Sequence, residues 1–323
     1  MAVEIRLSAA EVARVRLAVS PLAETVLGVR AALGAGGHEV HRPWVREAER
    51  VLAGEPETPL LRALLEGCLP SFLFPVPEER LPAFEAEAAG LRAADPAYVA
   101  AECAAALGAA RAARLPRPEL LLERVSEALT RCHDRLVAPH WGRMRAVLEA
   151  DLGRRALALL DGGVEGLFAQ LHADVVWREG ELVVHGRRRS GAAWTVEANG
   201  HGLVVMPTVF GWPDVIVDHS PRTAASIRYP APGVGHLWEA PRPTPAGLTA
   251  VLGRTRATLL TALAEPQSTP TLATRLGVTP GAVSQHLTAL RNAGLVTTHR
   301  TGRTAVHLRT RTGTALVAEP HSS

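Results

Sequence analysis

The chain has 323 residues, 47% hydrophobic and 21% charged, a composition that fits a folded protein of two or more domains and excludes a disordered one. All 35 basic residues are Arg. This excludes a Walker A loop, a kinase-type nucleotide-pairing Lys, and Schiff-base or pyridoxal-phosphate chemistry, because each needs a primary amine.

Mainly helical patterning opens the chain, over residues 8–171. Ser8-Ala-Ala-Glu11 is a capping box, and Ser20-Pro21 pairs an N-cap with a proline at the first helical position. Leu61, Leu64, Leu65 and Cys68 recur at helical spacing, as do Leu121, Leu122, Val125 and Leu129. Gly162-Gly163 predicts the end of a helix.

From Asp174 the period changes to that of strands. Val175-Val176-Trp177 and Leu182-Val183-Val184 read as a hairpin around Glu179-Gly180-Glu181. Further strands are predicted at 194–196, 203–206, 215–217 and 226–229. Trp177, Trp194, Phe210, Trp212, Tyr229 and Trp238 fall in this stretch. They are either the lining of a small-molecule pocket or rings that fill the space between a sheet and its helices, and the second reading is favoured. Pro241-Arg-Pro-Thr-Pro245 then reads as a stiff linker.

The charge changes sign there. Up to Pro245 the chain carries 27 Arg against 30 acidic residues, and the last 78 residues carry 8 Arg against 2 Glu. A basic terminal unit is the pattern of a module that meets a polyanion, although a GC-rich coding bias also collects Arg. In this unit residues 247–263 are expected to form one amphipathic helix, with Leu248, Val251, Leu252, Leu259, Leu260 and Leu263 on a single stripe. A short helix over 270–276, capped by Thr269, leads through Gly277-Val278 to a longer helix starting at Thr279-Pro280. A short helix, a Gly turn and a longer helix make a helix-turn-helix signature. Val283, Leu287 and Leu290 must face the core, whereas Gly281, Ser284, Gln285 and Thr288 share a face of small and hydrogen-bonding side chains. A face of that kind suits a helix lying in a major groove. Gly294 should close the helix, and 295–298 should pair with 305–308 around the basic tip Arg300-Thr-Gly-Arg303.

The stretch Leu276-Gly-Val-Thr-Pro-Gly-Ala-Val-Ser-Gln-His-Leu-Thr-Ala-Leu-Arg-Asn-Ala-Gly-Leu-Val296 resembles the recognition-helix segment of ArsR-type winged-helix transcriptional regulators. Gly202–Phe210, Tyr229-Pro230 and Leu237-Trp238 look like the uncharacterised N-terminal region of a long subgroup of such regulators. The resemblance implies that Ser284 and Gln285 approach base edges or phosphates, and that Arg300 and Arg303 contact backbone or minor groove. The expected DNA-contacting set is Thr279, Gly281, Ser284, Gln285, Thr288, Arg291, Arg300 and Arg303. Where the family's metal sensors place Cys, this chain has Ser268-Thr-Pro-Thr-Leu-Ala273, so no metal of that kind is expected. His38-Glu-Val-His41 and Cys132-His133 with His140 lack zinc spacing as well.

The fold expected is α+β: a mainly helical N-terminal region (1–172), a small antiparallel sheet in a mixed β region packed on it (173–240), a linker (241–246), and a C-terminal winged helix-turn-helix domain (247–323). The function expected is a repressor that binds double-stranded DNA as a homodimer, reading the major groove with 280–293 and the backbone or minor groove with 296–308. No cofactor and no catalytic residue is expected, since G-x-S-x-G, H-E-x-x-H and Gly-rich phosphate loops are missing. Asp218-His219-Ser220 is adjacent along a strand and so points to both of its faces. The alternatives are a winged-helix protein–protein interaction module and a small-molecule-binding protein using 174–240, and a small-molecule effector stays open. Cys68, Cys103 and Cys132 predict no disulfide framework; with no secretory signal and no membrane span visible, a cytoplasmic location is expected.

Overall fold

The computed structural model describes residues 2–34, 39–169, 171–178, 180–185, 194–211, 213–219, 223–238, 246–264, 267–301 and 304–317. The chain forms two compact units, one of residues 1–141 with 158–238 and one of residues 142–157 with 239–323. The fold is α+β, as the alternation of periods predicts. The segment 142–157, in the stretch read as part of the N-terminal region, is grouped with the C-terminal residues.

In the first unit the expected helices start where their caps place them. Ser8 accepts the Glu11 N–H, and the Glu11 carboxylate accepts the Ser8 N–H at 2.7 Å. Ser20 accepts the Ala23 N–H at 2.9 Å ahead of the helix Pro21–Ala32. That helix is buried on nearly every side, so it runs through the core rather than over it. Leu61, Leu64 and Leu65 are buried as their spacing requires, but the helix Thr58–Leu65 stops before Cys68. The long helix Trp141–Ala169 breaks at Gly162 and Gly163, where Gly163 takes φ 60°.

The strands appear where alternation put them and the sheets are small, but their pairing is mixed rather than antiparallel. Two four-stranded mixed sheets form. In the first, Ala2–Arg6 lies between Glu181–His185, antiparallel, and Trp194–Glu197, parallel, with Ile5 opposite Leu182 and Val196. In the second, Leu203–Thr208 runs parallel both to Arg16–Leu17 and to Ala225–Pro230, and Ile216–Asp218 pairs antiparallel at the edge. The N-terminal strands were hidden because each is short and lies beside a helix start. Leu203–Thr208 and Ala225–Pro230 are buried at every residue, which explains the unbroken apolar run Leu203–Met206. Ile5, Phe168, Leu182, Val205, Ile227 and Tyr229 form the heart of this core.

The second unit contains the helices Ala246–Leu252, Arg254–Ala262, Thr269–Leu276, Pro280–Asn292 and Arg311–Val317. A three-stranded sheet orders Val296–Thr301, Thr304–Arg309 and Gln267–Ser268. The single helix expected over 247–263 is two helices, broken at Gly253 with φ 78° and ψ 155°. The break turns Val251 out to 79% exposure, off the stripe it was assigned to, while Leu248, Leu259, Leu260 and Leu263 stay buried. A Cβ at Gly253 would meet nothing within 4 Å, so the demand for glycine is wholly one of backbone conformation. Gly253→Ala is therefore expected to destabilise the protein by about 1–3 kcal/mol, measured by denaturant unfolding.

Candidate nucleic-acid interface

Two helices and the turn between them build the site. Thr269–Leu276 is capped by Ser268, whose hydroxyl accepts the Thr271 N–H at 3.3 Å. The expected cap, Thr269, instead bonds His307 Nε2 at 2.9 Å. The turn closes as a Schellman motif: Val278 N–H donates to Ala273 O at 3.1 Å, and Gly277 takes φ 66°, which its missing Cβ allows. Thr279 caps the second helix, Pro280–Asn292, accepting the Ala282 N–H at 3.3 Å. That helix ends in a second Schellman motif, with Leu295 N–H on Leu290 O at 2.9 Å and Gly294 at φ 70°.

Packing fixes which face looks outward. Val283, Leu287 and Leu290 are at most 2% exposed, set against Leu259, Leu260, Leu272 and Leu295. Burying each such side chain contributes roughly 1.5–3 kcal/mol, which holds the helix in one rotation. Thr279, Gly281, Ser284, Gln285, Thr288 and Arg291 are all exposed. The Thr288 hydroxyl donates to Ser284 O at 2.9 Å and accepts from Arg291 Nη2 at 3.4 Å. Ser284 Oγ and the Gln285 amide have no hydrogen-bond partner among the described residues, so both keep their full capacity for an incoming acceptor or donor. Arg303 and the Arg300 side chain lie outside the described residues.

The hairpin pairs Val296 with Arg309 and Thr301 with Thr304. His307, 5% exposed, ties it to the first helix: Nε2 meets Thr269 Oγ1 and Nδ1 meets Thr298 Oγ1, each at 2.9 Å. Glu149, on the segment 142–157, accepts the Thr271 hydroxyl at 2.7 Å. The sequence gives no periodic signal for either contact, because each joins residues remote along the chain.

Among the described residues the aromatic rings of the first unit fall into separate packing groups. Trp177 stacks on Phe168 at 5.1 Å, and Tyr229 is fully buried in the sheet core. Phe210 and Trp238 instead join Trp44 and His41. Phe210 lies 4.4 Å from Trp44, and Trp238 Nε1 donates to His41 Nδ1 at 2.9 Å. Trp212 and the Trp194 side chain lie outside the described residues. His133 stacks on Phe84 at 3.8 Å and bonds Thr25, and burial lowers its pKa. Burial likewise pushes the Cys103 and Cys132 thiols up to about 11 and about 12. His38 and Ser220 lie outside the described residues; Asp218 pairs with Arg228, whereas His219 faces Glu197 O. Among the described residues no group of three or more His, Cys, Asp and Glu is placed to hold a metal ion, and no helix is long and apolar enough to cross a membrane.

A helix packed on one side and polar on the other, entered through a tight Gly turn, is the architecture of a DNA-binding helix-turn-helix protein. In agreement, residues 237–299 match a family described as a helix-turn-helix domain. The chain is a DNA-binding transcription regulator. Residues 85–235 match a family of unknown function (DUF5937), a stretch that includes helices and most strands of the first unit. No curated protein and no solved structure matches the chain.

Proposed function

We propose that the second unit is a winged helix-turn-helix of the ArsR type, and that the protein is a homodimeric repressor. The observation that carries this reading is the exposed face of Pro280–Asn292, where Ser284 and Gln285 lie free beside a buried Val283/Leu287/Leu290 seam. In this reading the helix lies in the major groove, where a Gln amide can pair bidentately with adenine and a Ser hydroxyl can serve several bases. Thr279 and Arg291, at the two ends of the helix, take phosphates, and the hairpin acts as the wing, its Arg300 and Arg303 on the backbone or in the minor groove. Dimerisation supplies the second half-site that one short helix cannot read, at a spacing of about one helical turn. The role is one of binding rather than catalysis.

Gel-shift titration against the DNA upstream of the protein's own gene, at two salt concentrations, tests this. Affinity should fall steeply with salt, because Arg contacts release counterions from phosphates. Arg291→Ala and Arg303→Ala should each weaken binding to all sequences and reduce the salt slope by about 1. Affinity for another protein that hardly changes with salt, with no DNA shift, would favour an interaction module instead.

A further inference from the structure

The first unit contains a buried ionic cluster that the DNA-binding reading does not use. Arg228, in the middle of the strand Ala225–Pro230, is 1% exposed. Its Nη1 donates to the Asp218 carboxylate and, at 3.3 Å, to Ser226 Oγ. Its Cζ sits 4.6 Å from the centre of the Phe74 ring. Its Nε and Nη2 have no hydrogen-bond partner among the described residues.

Those two nitrogens form one edge of the guanidinium, and two other arginines reveal what that edge fits. Arg124 grips Glu57 through Nε and Nη2 at 2.9 and 2.7 Å, and Arg131 grips Glu55 through the same pair at 3.1 and 2.7 Å. Each is a fork of two parallel donors closing on the two oxygens of a planar carboxylate. Arg228 presents the same fork inside the protein, where an unmet donor costs about 1–3 kcal/mol. The neighbouring carboxyl groups are committed elsewhere. Glu24 accepts the N–H groups of Val209 and Phe210 at 3.0 to 3.3 Å, and Glu87 Oε2 accepts that of Leu22 at 2.9 Å. Glu87 Oε1 is without a hydrogen-bond partner among the described residues, and the charge of Arg228 acts on its carboxyl group.

We propose that the Nε/Nη2 edge of Arg228 anchors a binding site for a small monocarboxylate in the unit formed by residues 1–141 and 158–238. The ligand's two oxygens take the two free donors, and Glu87 Oε1 meets a polar group on its body. The charges present select a monoanion. Asp218 meets Arg228 from the Nη1 side alone, and burial raises its pKa, with Glu102 on the helix Pro96–Leu107 acting in the same sense. Burial pushes Glu24 up to about 8 and Glu87 to about 7, so in mild acid both are protonated and set no negative charge against an incoming carboxylate. A phosphate dianion adds more charge than the cluster can balance.

Carboxylate binding stands apart from the DNA-binding reading, and only its role as an effector rests on that reading. The test is calorimetry of the full chain, without DNA, against benzoate and acetate, with benzamide and inorganic phosphate as controls, at pH 6 and pH 8.5. One carboxylate per chain should bind in the millimolar range, about tenfold or more tighter than either control, and more weakly at pH 8.5. Arg228→Lys keeps the charge but loses the fork, and should lose binding about tenfold or more. If that variant does not fold, benzoate titrated into the wild type should shift one solvent-protected Arg Nε–H resonance. No saturable carboxylate binding below ~20 mM, equal binding by Arg228→Lys, or an unmoved resonance overturns the site. DNA affinity is then measured with and without benzoate. A change supports the effector role; binding that leaves DNA affinity unchanged keeps the site and overturns that role.

Discussion

Gln285→Ala is expected to lower the preference for the cognate operator over random DNA by about 1–3 kcal/mol, while non-specific affinity and its salt dependence stay nearly unchanged. The reasoning is geometric. Gln285 is exposed, and its amide meets no partner among the described residues, so truncation removes nothing from the fold. What it removes is a paired donor and acceptor that can recognise a base edge. Leu287→Ala, two positions along the same helix, should do the reverse. Leu287 is 2% exposed among Leu259, Leu260 and Leu272, and its truncation should cost about 2–5 kcal/mol of stability. Competition gel shifts and denaturant melts on the two variants separate the effects. If Gln285→Ala left the cognate-to-random ratio unchanged, base reading by this face would be wrong.

Legibility in the sequence followed the range of the interaction. The caps at Ser8, Ser20 and Thr279 and the Gly294 exit were readable because each is a contact within a few residues. The outward face of Pro280–Asn292 was readable because burial of Val283, Leu287 and Leu290 follows one helical period. Gly253 misled because an isolated glycine in a helical pattern is usually tolerated, and only its φ of 78° shows that it separates two helices. The strand Ala2–Arg6 was missed because its partners lie far along the chain, at Glu181–His185 and Trp194–Glu197. The aromatic residues are close in sequence, whereas Trp177 and Phe210 sit in different packing groups, a division that spacing along the chain does not carry. The ionic cluster left a signal that composition counts hide: Glu24 interrupts an apolar helix between Ala23 and Thr25, and Arg228 interrupts an apolar strand between Ile227 and Tyr229. A charge inside an element buried on all sides needs a partner or a purpose.

The same buried carboxyl groups set how stability should vary with pH. Burial raises Glu24 from 4.5 to about 8, against the opposing pull of the Val209 and Phe210 N–H groups, and raises Glu87 from 4.5 to about 7. The folded chain therefore holds these protons more tightly than the unfolded chain does. The stability they contribute is complete below pH 4.5 and is lost as pH rises through about 7 and about 8. Within that window each pH unit costs about 1.4 kcal/mol per group still protonated in the fold. Glu11 and Glu55 act in the opposite sense. Hydrogen bonds from Ser8 and from Arg131 hold them below 4.5, so their contribution is present above that pH and lost in stronger acid. Thermal stability of the first unit should therefore peak near pH 5 and fall by several kcal/mol towards pH 8.5. Glu24→Gln keeps one acceptor oxygen for the two backbone N–H groups but cannot ionise. It should be less stable than wild type at pH 5, by about 1–3 kcal/mol, and should fall less steeply as pH rises. Melting curves of both proteins at half-unit pH intervals check this, and a wild-type stability that climbs between pH 5 and pH 8 would mean that Glu24 is ionised in the fold, its charge carried by Arg228 and the two N–H groups.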